Sequence, residues 1–189
     1  MTAFTTEKID VEPWFDMELF MGVSQETRLG GDVMDRFMTL WKNWLPHLTV
    51  KGIDTGKIKY LLVALDESVE QDVDKAWEGS PSNAFLYNAL AQTMCMAAVH
   101  AVIPEVQDAG CAPAPKPTAT LREALEAEGI PYSNDKDPIL SRRYAVVTHY
   151  PFKGGCEICH LQSQCPKGQG QTESPSILLP GHEPEAGEN

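Results

Sequence analysis

Residues 57–77 read KIKYLLVALDESVEQDVDKAW, and the conformation assigned to this stretch decides the fold class of the whole chain. Apolar residues lead into an acidic run, Asp66, Glu67, Glu70, Asp72 and Asp74, and the segment closes on Trp77. Read at the period of a helix, its apolar positions face inward and the carboxylates form a solvated face. Paired carboxylates of this kind can also carry acid–base chemistry or hold a divalent ion. No histidine is close in sequence and the acids spread around the helix, so they are read here as surface.

Helical signals continue on both sides. Upstream, PWFDMELFMGVS (13–24) has Pro at a helix start and mixed three and four apolar spacing, a short first helix that ends before Gly30 and Gly31. Asp32 can cap VMDRFMTLWKNWL (33–45), where Val33, Phe37, Leu40, Trp41 and Trp44 recur at helical spacing until Pro46. Trp41, Trp44 and Met38 invite comparison with a cofactor box, but a stripe packed on a neighbouring helix accounts for them. Downstream, Ser80 or Ser82 caps NAFLYNALAQTMCMAAVHAVI (83–103), which is apolar on nearly every face and so belongs at the centre of the fold. Its longest apolar run is about half the roughly 20 residues of a membrane span, so it reads as a buried helix and no span is expected. Cys95 and His100 lie on it five residues apart, a spacing that does not bring two ligands to one face, and they read as an inert core thiol and a hydrogen-bonded core histidine.

After Pro104 the pattern changes. The stretch EVQDAGCAPAPKPTAT (105–120) reads as a stiff, exposed connector with Cys111 between Gly110 and Ala112. Thr120 with Glu123 matches a capping box opening LREALEAE (121–128), which Gly129 and Pro131 end. RRYAVVTHY (142–150) suits a short strand or extended lead-in. The tail from Lys167 is rich in Gly, Pro, Gln and Glu, too poor in apolar residues for a core, with one apolar knot at Ile177 to Leu179 that can dock on the body or a partner. The expectation is a mainly α protein: a bundle-like helical body over 1–110, a capping helix and small irregular cysteine-containing subdomain over 111–166, and a flexible acidic tail over 167–189.

The chain has 189 residues, 42% hydrophobic and 22% charged, the composition of a soluble globular domain. Lys+Arg 15 against Asp+Glu 27 leaves a formal net charge of -12, which repels a polyanion. Lys51, Lys57 and Lys59, and the pair Arg142 and Arg143, are too few for a nucleic-acid footprint, so no nucleic-acid partner is expected. MTAFTTEKIDVEPW lacks the basic and apolar regions of a secretory signal, which points to the cytoplasm. There, stable disulfides are disfavoured and clustered thiols turn to metal ligation or redox chemistry.

Such a cluster exists. GGCEICHLQSQCPKG (154–168) places Cys156, Cys159 and Cys165 close together in a chain of five cysteines. Two thiolates separated by two residues can grip one metal, because the intervening turn lets both sulfurs point inward, and this serves zinc and iron alike. Cys165 stands beyond a five-residue gap, unlike the second tight pair of zinc ribbons and fingers. The C-x2-C-x5-C pattern resembles the cluster-binding tails of the endonuclease III class of DNA glycosylases, the FNR-type regulators, the WhiB-like proteins and the iron–sulfur nucleases of the CRISPR-associated and AddB types. In those families a distant fourth cysteine joins the three, and the resemblance implies a [4Fe-4S] cluster.

For the fourth ligand, a Gly-flanked thiol on a loop can reach the site, which favours Cys111, whereas Cys95 is held in an apolar helix; His149 and His160 are secondary candidates. Zinc is the alternative cofactor, on Cys156, Cys159 and Cys165 with His149, His160 or Cys111. C-x-x-C-H at Cys156 to His160 also matches a c-type haem site with His160 as axial ligand, a reading that requires export and leaves Cys165 without a role. No βαβ pattern precedes the pair to support thioredoxin-like exchange. With no convincing nucleophile and base and no phosphate-cradling glycine loop, the expected role is electron transfer, redox sensing or service as an accessory subunit of a redox complex, with a redox protein or enzyme subunit as partner. The different-class alternative is a noncatalytic interaction protein with a structural zinc.

Overall fold

The computed structural model of the chain describes residues 4–134 and 138–169. The acidic tail beyond Gln169, with its Ile177 to Leu179 knot, lies outside the described residues. Among the described residues the chain forms four strands, β1 (Thr5–Lys8), β2 (Leu48–Asp54), β3 (Lys59–Leu65) and β4 (Ala145–His149). Six α-helices accompany them: α1 (Met17–Ser24), α2 (Gly31–Trp44), α3 (Glu67–Gly79), α4 (Pro81–Val102), α5 (Glu105–Ala109) and α6 (Ala119–Ala127). The strands make one antiparallel sheet in the order β1-β2-β3-β4.

The fold is therefore mixed α/β, and the expectation of a mainly α, bundle-like body is wrong. The error is plainest in residues 57–77, which divide at Asp66 into a strand and a helix, and it extends to β1 and β2, which the helical reading of residues 1–110 leaves out. β3 is an inner strand of the sheet with both faces covered. Leu61, Val63 and Leu65 join Val50 under helices α1 to α4, while Tyr60, Leu62 and Ala64 join Ile53 and Val147 under Leu121, Ala124 and Leu125 of α6. A strand buried on both faces has no polar alternation to display, so its apolar run cannot be told from a helix by period. Two local signals mark its ends. The turn from β2 carries Gly56 at φ +77, with its N–H donating to Asp54 Oδ1 at 2.7 Å. At the far end Asp66 caps α3, its Oδ1 accepting from Ser68 N at 2.9 Å.

α4 lies at the centre, as its composition requires. Ser80 caps it, Oγ accepting from Asn83 N at 3.4 Å, and Pro81 takes the first turn, where a missing N–H costs nothing. Its length and hydropathy would suit a membrane span, yet Leu90, Met94, Ala98 and Val99 are fully buried among β3, α1, α2 and α3. Phe37, Trp41 and Trp44 of α2 belong to the same core, whereas Met38 faces outward, which answers the cofactor-box question in favour of packing. Both buried indoles are satisfied: Trp41 Nε1 donates to Pro13 O at 3.2 Å and Trp44 Nε1 to Asp72 Oδ2 at 3.0 Å.

The second half of the chain is built into the body. β4 pairs with β3 from Tyr60↔His149 to Ala64↔Ala145, and α6 covers the sheet face opposite α4. α6 starts earlier than the Thr120 and Glu123 pair suggests: Thr118 is the cap, Oγ1 accepting from Leu121 N at 3.3 Å. The connector is not wholly loop either, since Glu105–Ala109 forms α5 around buried Val106.

Candidate metal centre

The chain leaves β4 at His149 and reaches residues 154–169, where order comes from three successive 3₁₀ turns: Cys156–Ile158, Gln162–Gln164 and Lys167–Gln169. Their hydrogen bonds fall on the cysteines. Cys159 N donates to Cys156 O at 3.2 Å, Gln162 N to Cys159 O at 3.1 Å, Cys165 N to Gln162 O at 3.4 Å and Gln169 N to Cys165 O at 3.1 Å. Each of the three cysteines thus sits at a turn boundary, which is how a short loop can bring side chains distant in sequence to one side. Gly168 lets the last turn close, because a Cβ there would fall 2.6 Å from Gln162 O.

The opposite wall is the segment that follows α5. Gly110 ends that helix in the left-handed conformation, φ +66, and Cys111 comes next. Two contacts hold the walls together: His160 N donates to Ala114 O at 2.8 Å, and Lys167 Nζ donates to Ala109 O at 2.7 Å. Between them lies a small open hollow bordered by Cys111, Cys156, Cys159 and Cys165, with Ala109, Pro113, Gln162 and Lys167 among the other residues of its wall. All four thiols are partly buried and unpaired in disulfides. Cys111 senses its surroundings: burial pushes its thiol up, negative charge on Cys159, Cys156 and Cys165 pushes it the same way, and Lys167 pulls against them.

The remaining sequence candidates lie elsewhere. Cys95 is buried in α4, its Sγ donating to Tyr144 O at 3.5 Å, and burial pushes its pKa up to about 12. His149, at the end of β4, packs its ring 5.5 Å from that of Tyr60; its Nδ1 is buried without a hydrogen-bond partner, and burial, then Lys153, pushes its pKa down. His160 is exposed and enters the site only through its backbone. Neither histidine borders the cavity. Among the described residues no three His, Cys, Asp or Glu side chains converge closely enough to grip a single metal ion.

Other chemistry finds little footing. The acids of α3 are structural ties: Glu70 accepts from Arg143 N at 2.9 Å, Asp74 accepts from the Arg143 guanidinium at 2.7 and 3.3 Å, and Asp72 holds Trp44. The basic pair Arg142 and Arg143 is thereby used to anchor α3. His47, Asp66 and Ser68 come together, but Asp66 Oδ2 at 2.6 Å and Ser68 Oγ at 3.3 Å both meet the same ring nitrogen, Nδ1, so no proton can pass from the hydroxyl through the ring to the acid. Sequence reasoning misses Lys167, Gln162 and Gly168 as parts of the cavity. The Pro-Lys-Gly sequence after Cys165 signals a turn, but the carbonyl that Lys167 meets is 58 residues away and leaves no local trace. The chain matches no protein-family model, no curated protein and no solved structure.

Proposed function

We propose that Cys111, Cys156, Cys159 and Cys165 ligate a [4Fe-4S] cluster, and that the protein serves electron transfer, redox sensing or a larger redox complex as its accessory subunit. The observation that carries this reading is that four of the five cysteines, drawn from two separate stretches, border one cavity while the fifth is sealed in the core. The spacing bears on the choice of metal. A zinc held by thiolates at about 2.3 Å needs its sulfurs to converge on a point, whereas a cluster spreads four thiolates around a cube. The C-x2-C-x5-C spacing of Cys156, Cys159 and Cys165, with Cys111 as a distant fourth, suits the second.

Each part of the chain then has a task. The turns 156–169 present three thiolates, Gly110 turns Cys111 toward them, and Ala109 and Pro113 limit the access of water. No bond is made or broken in the exchange: one electron enters from a reduced protein partner and leaves to an oxidised one. The partly exposed position of the cysteines favours both transfer and tuning by a docked protein. A reducing, cytoplasmic setting keeps the thiols free to ligate.

Anaerobic purification of the full chain with metal analysis and electron paramagnetic resonance tests the proposal. The expected result is a brown protein with about four irons and matching acid-labile sulfide, giving a paramagnetic signal on one-electron reduction. A colourless protein with one stoichiometric zinc overturns it in favour of a structural metal site.

A further inference from the structure

The cavity that gathers the four cysteines borders on a single cation among its described residues, Lys167. Its Nζ donates to Ala109 O at 2.7 Å and so spans the two walls. Backbone is pared away where the ammonium sits: Gly110 is at φ +66, and a Cβ there would fall 2.8 Å from Nζ. The one acid in residues 154–168, Glu157, is turned onto its own loop, its Oε1 accepting from Gly155 N at 2.9 Å. Among the described residues the cavity is therefore bordered by one cation and by no carboxylate.

Building on the cluster reading, we propose that Lys167 is the countercharge of the site, a positioning residue that joins the two cysteine walls and raises the reduction potential of the cluster between them. A cluster on four thiolates is anionic and gains a further negative charge when it accepts an electron. A nearby cation consequently stabilises the reduced form more than the oxidised one. Lys167 is exposed, so the effect is partly screened and should weaken as salt is added. A lysine that merely satisfied the last carbonyl of α5 would stabilise that turn and leave the potential alone.

The distinguishing experiment is a spectroelectrochemical titration of the anaerobically purified full chain, with dithionite as reductant and mediator dyes, for wild type, K167Q and K167R. K167Q retains a donor for Ala109 O without the charge, and K167R retains the charge. At the wild-type midpoint, the ratio of reduced to oxidised cluster in K167Q should fall about tenfold, a negative shift of about 59 mV for a one-electron couple. K167R should stay near wild type. A K167Q protein with full iron content and an unshifted midpoint overturns the countercharge and leaves the cluster reading standing. A wild type that assembles no cluster overturns both. Should K167Q lose its iron, G110A displaces the ammonium without deleting it, and an unchanged midpoint there overturns the inference equally.

Discussion

Strand β3 and the cysteine loop are stretches of comparable importance held in opposite ways. Every residue from Tyr60 to Leu65 is at most 2% exposed, while not one residue from 154 to 168 is buried. The body folds by removing apolar surface from water on both sides of a sheet, a force that is large and indifferent to exact partners. The loop has little such surface to hide, and holds its shape through single hydrogen bonds within its turns and two contacts to the 109–114 wall. An arrangement of this kind leaves room for a ligand to supply binding energy that becomes folding energy for the loop alone.

The sharpest way to break this contrast is to remove the proposed ligands one at a time. C111S, C156S, C159S and C165S should each abolish or strongly reduce the visible iron–sulfur absorbance, whereas far-ultraviolet circular dichroism and the thermal unfolding of the sheet and helices should barely change. If the body melts together with the cluster, the two regions are one cooperative unit and the contrast is lost.

Thiol chemistry gives the next largest effect. In metal-free folded protein at pH 8, iodoacetamide followed by mass spectrometry should modify Cys111, Cys156, Cys159 and Cys165, and leave Cys95 untouched until denaturant is added. With a pKa of about 12, the Cys95 thiolate fraction at pH 8 is about one in ten thousand, and its burial closes the path of the reagent as well. Rapid labelling of Cys95 under native conditions would mean that α4 opens more readily than its packing implies.

Smaller, but aimed at the body alone, is L62A. Leu62 is fully buried on the α6 face of β3, and its truncation should cost about 3 kcal/mol of unfolding free energy in urea titrations. Cluster content at temperatures well below the transition should be unchanged. A parallel loss of iron would show that the sheet transmits its packing to the loop through β4.

How much of this could be read in advance follows from the same contrast. α4 is legible because a stretch apolar on nearly every face has few places to go, and the grouping of Cys156, Cys159 and Cys165 is legible because it is local. The position of Cys111 beside them can be argued from Gly110, which frees the backbone where a helix must end. β3 is not legible by period, since Leu61 and Leu62 point to opposite faces and both faces are covered; the DTGK turn before it and the Asp66 cap after it are the signals to weigh instead. The contact of Lys167 with Ala109 and the close approach of Gly168 to Gln162 depend on tertiary placement that no window of sequence contains.

The finest test of separability is the cap of α6. Thr118 ends the connector that begins at Cys111, and its Oγ1 satisfies Leu121 N at 3.3 Å, one of the donors that the first turn of a helix leaves open. T118A removes that acceptor and should cost about 1 kcal/mol, the usual size of a lost cap, read as a lowered unfolding midpoint. The loss should stay on the sheet face that α6 covers, where Leu121, Ala124 and Leu125 pack on Tyr60 and Leu62. Between Thr118 and the cavity, buried Pro113 and Pro115 stiffen the chain, and Pro113 O accepts from Thr148 Oγ1 of β4 at 2.9 Å. Cys111 is therefore anchored independently of the helix that follows it, and iron content and midpoint potential in T118A should equal those of wild type. A shifted potential in T118A would show that α6 helps to set the position of Cys111, and that the body and the metal site share the connector as one element.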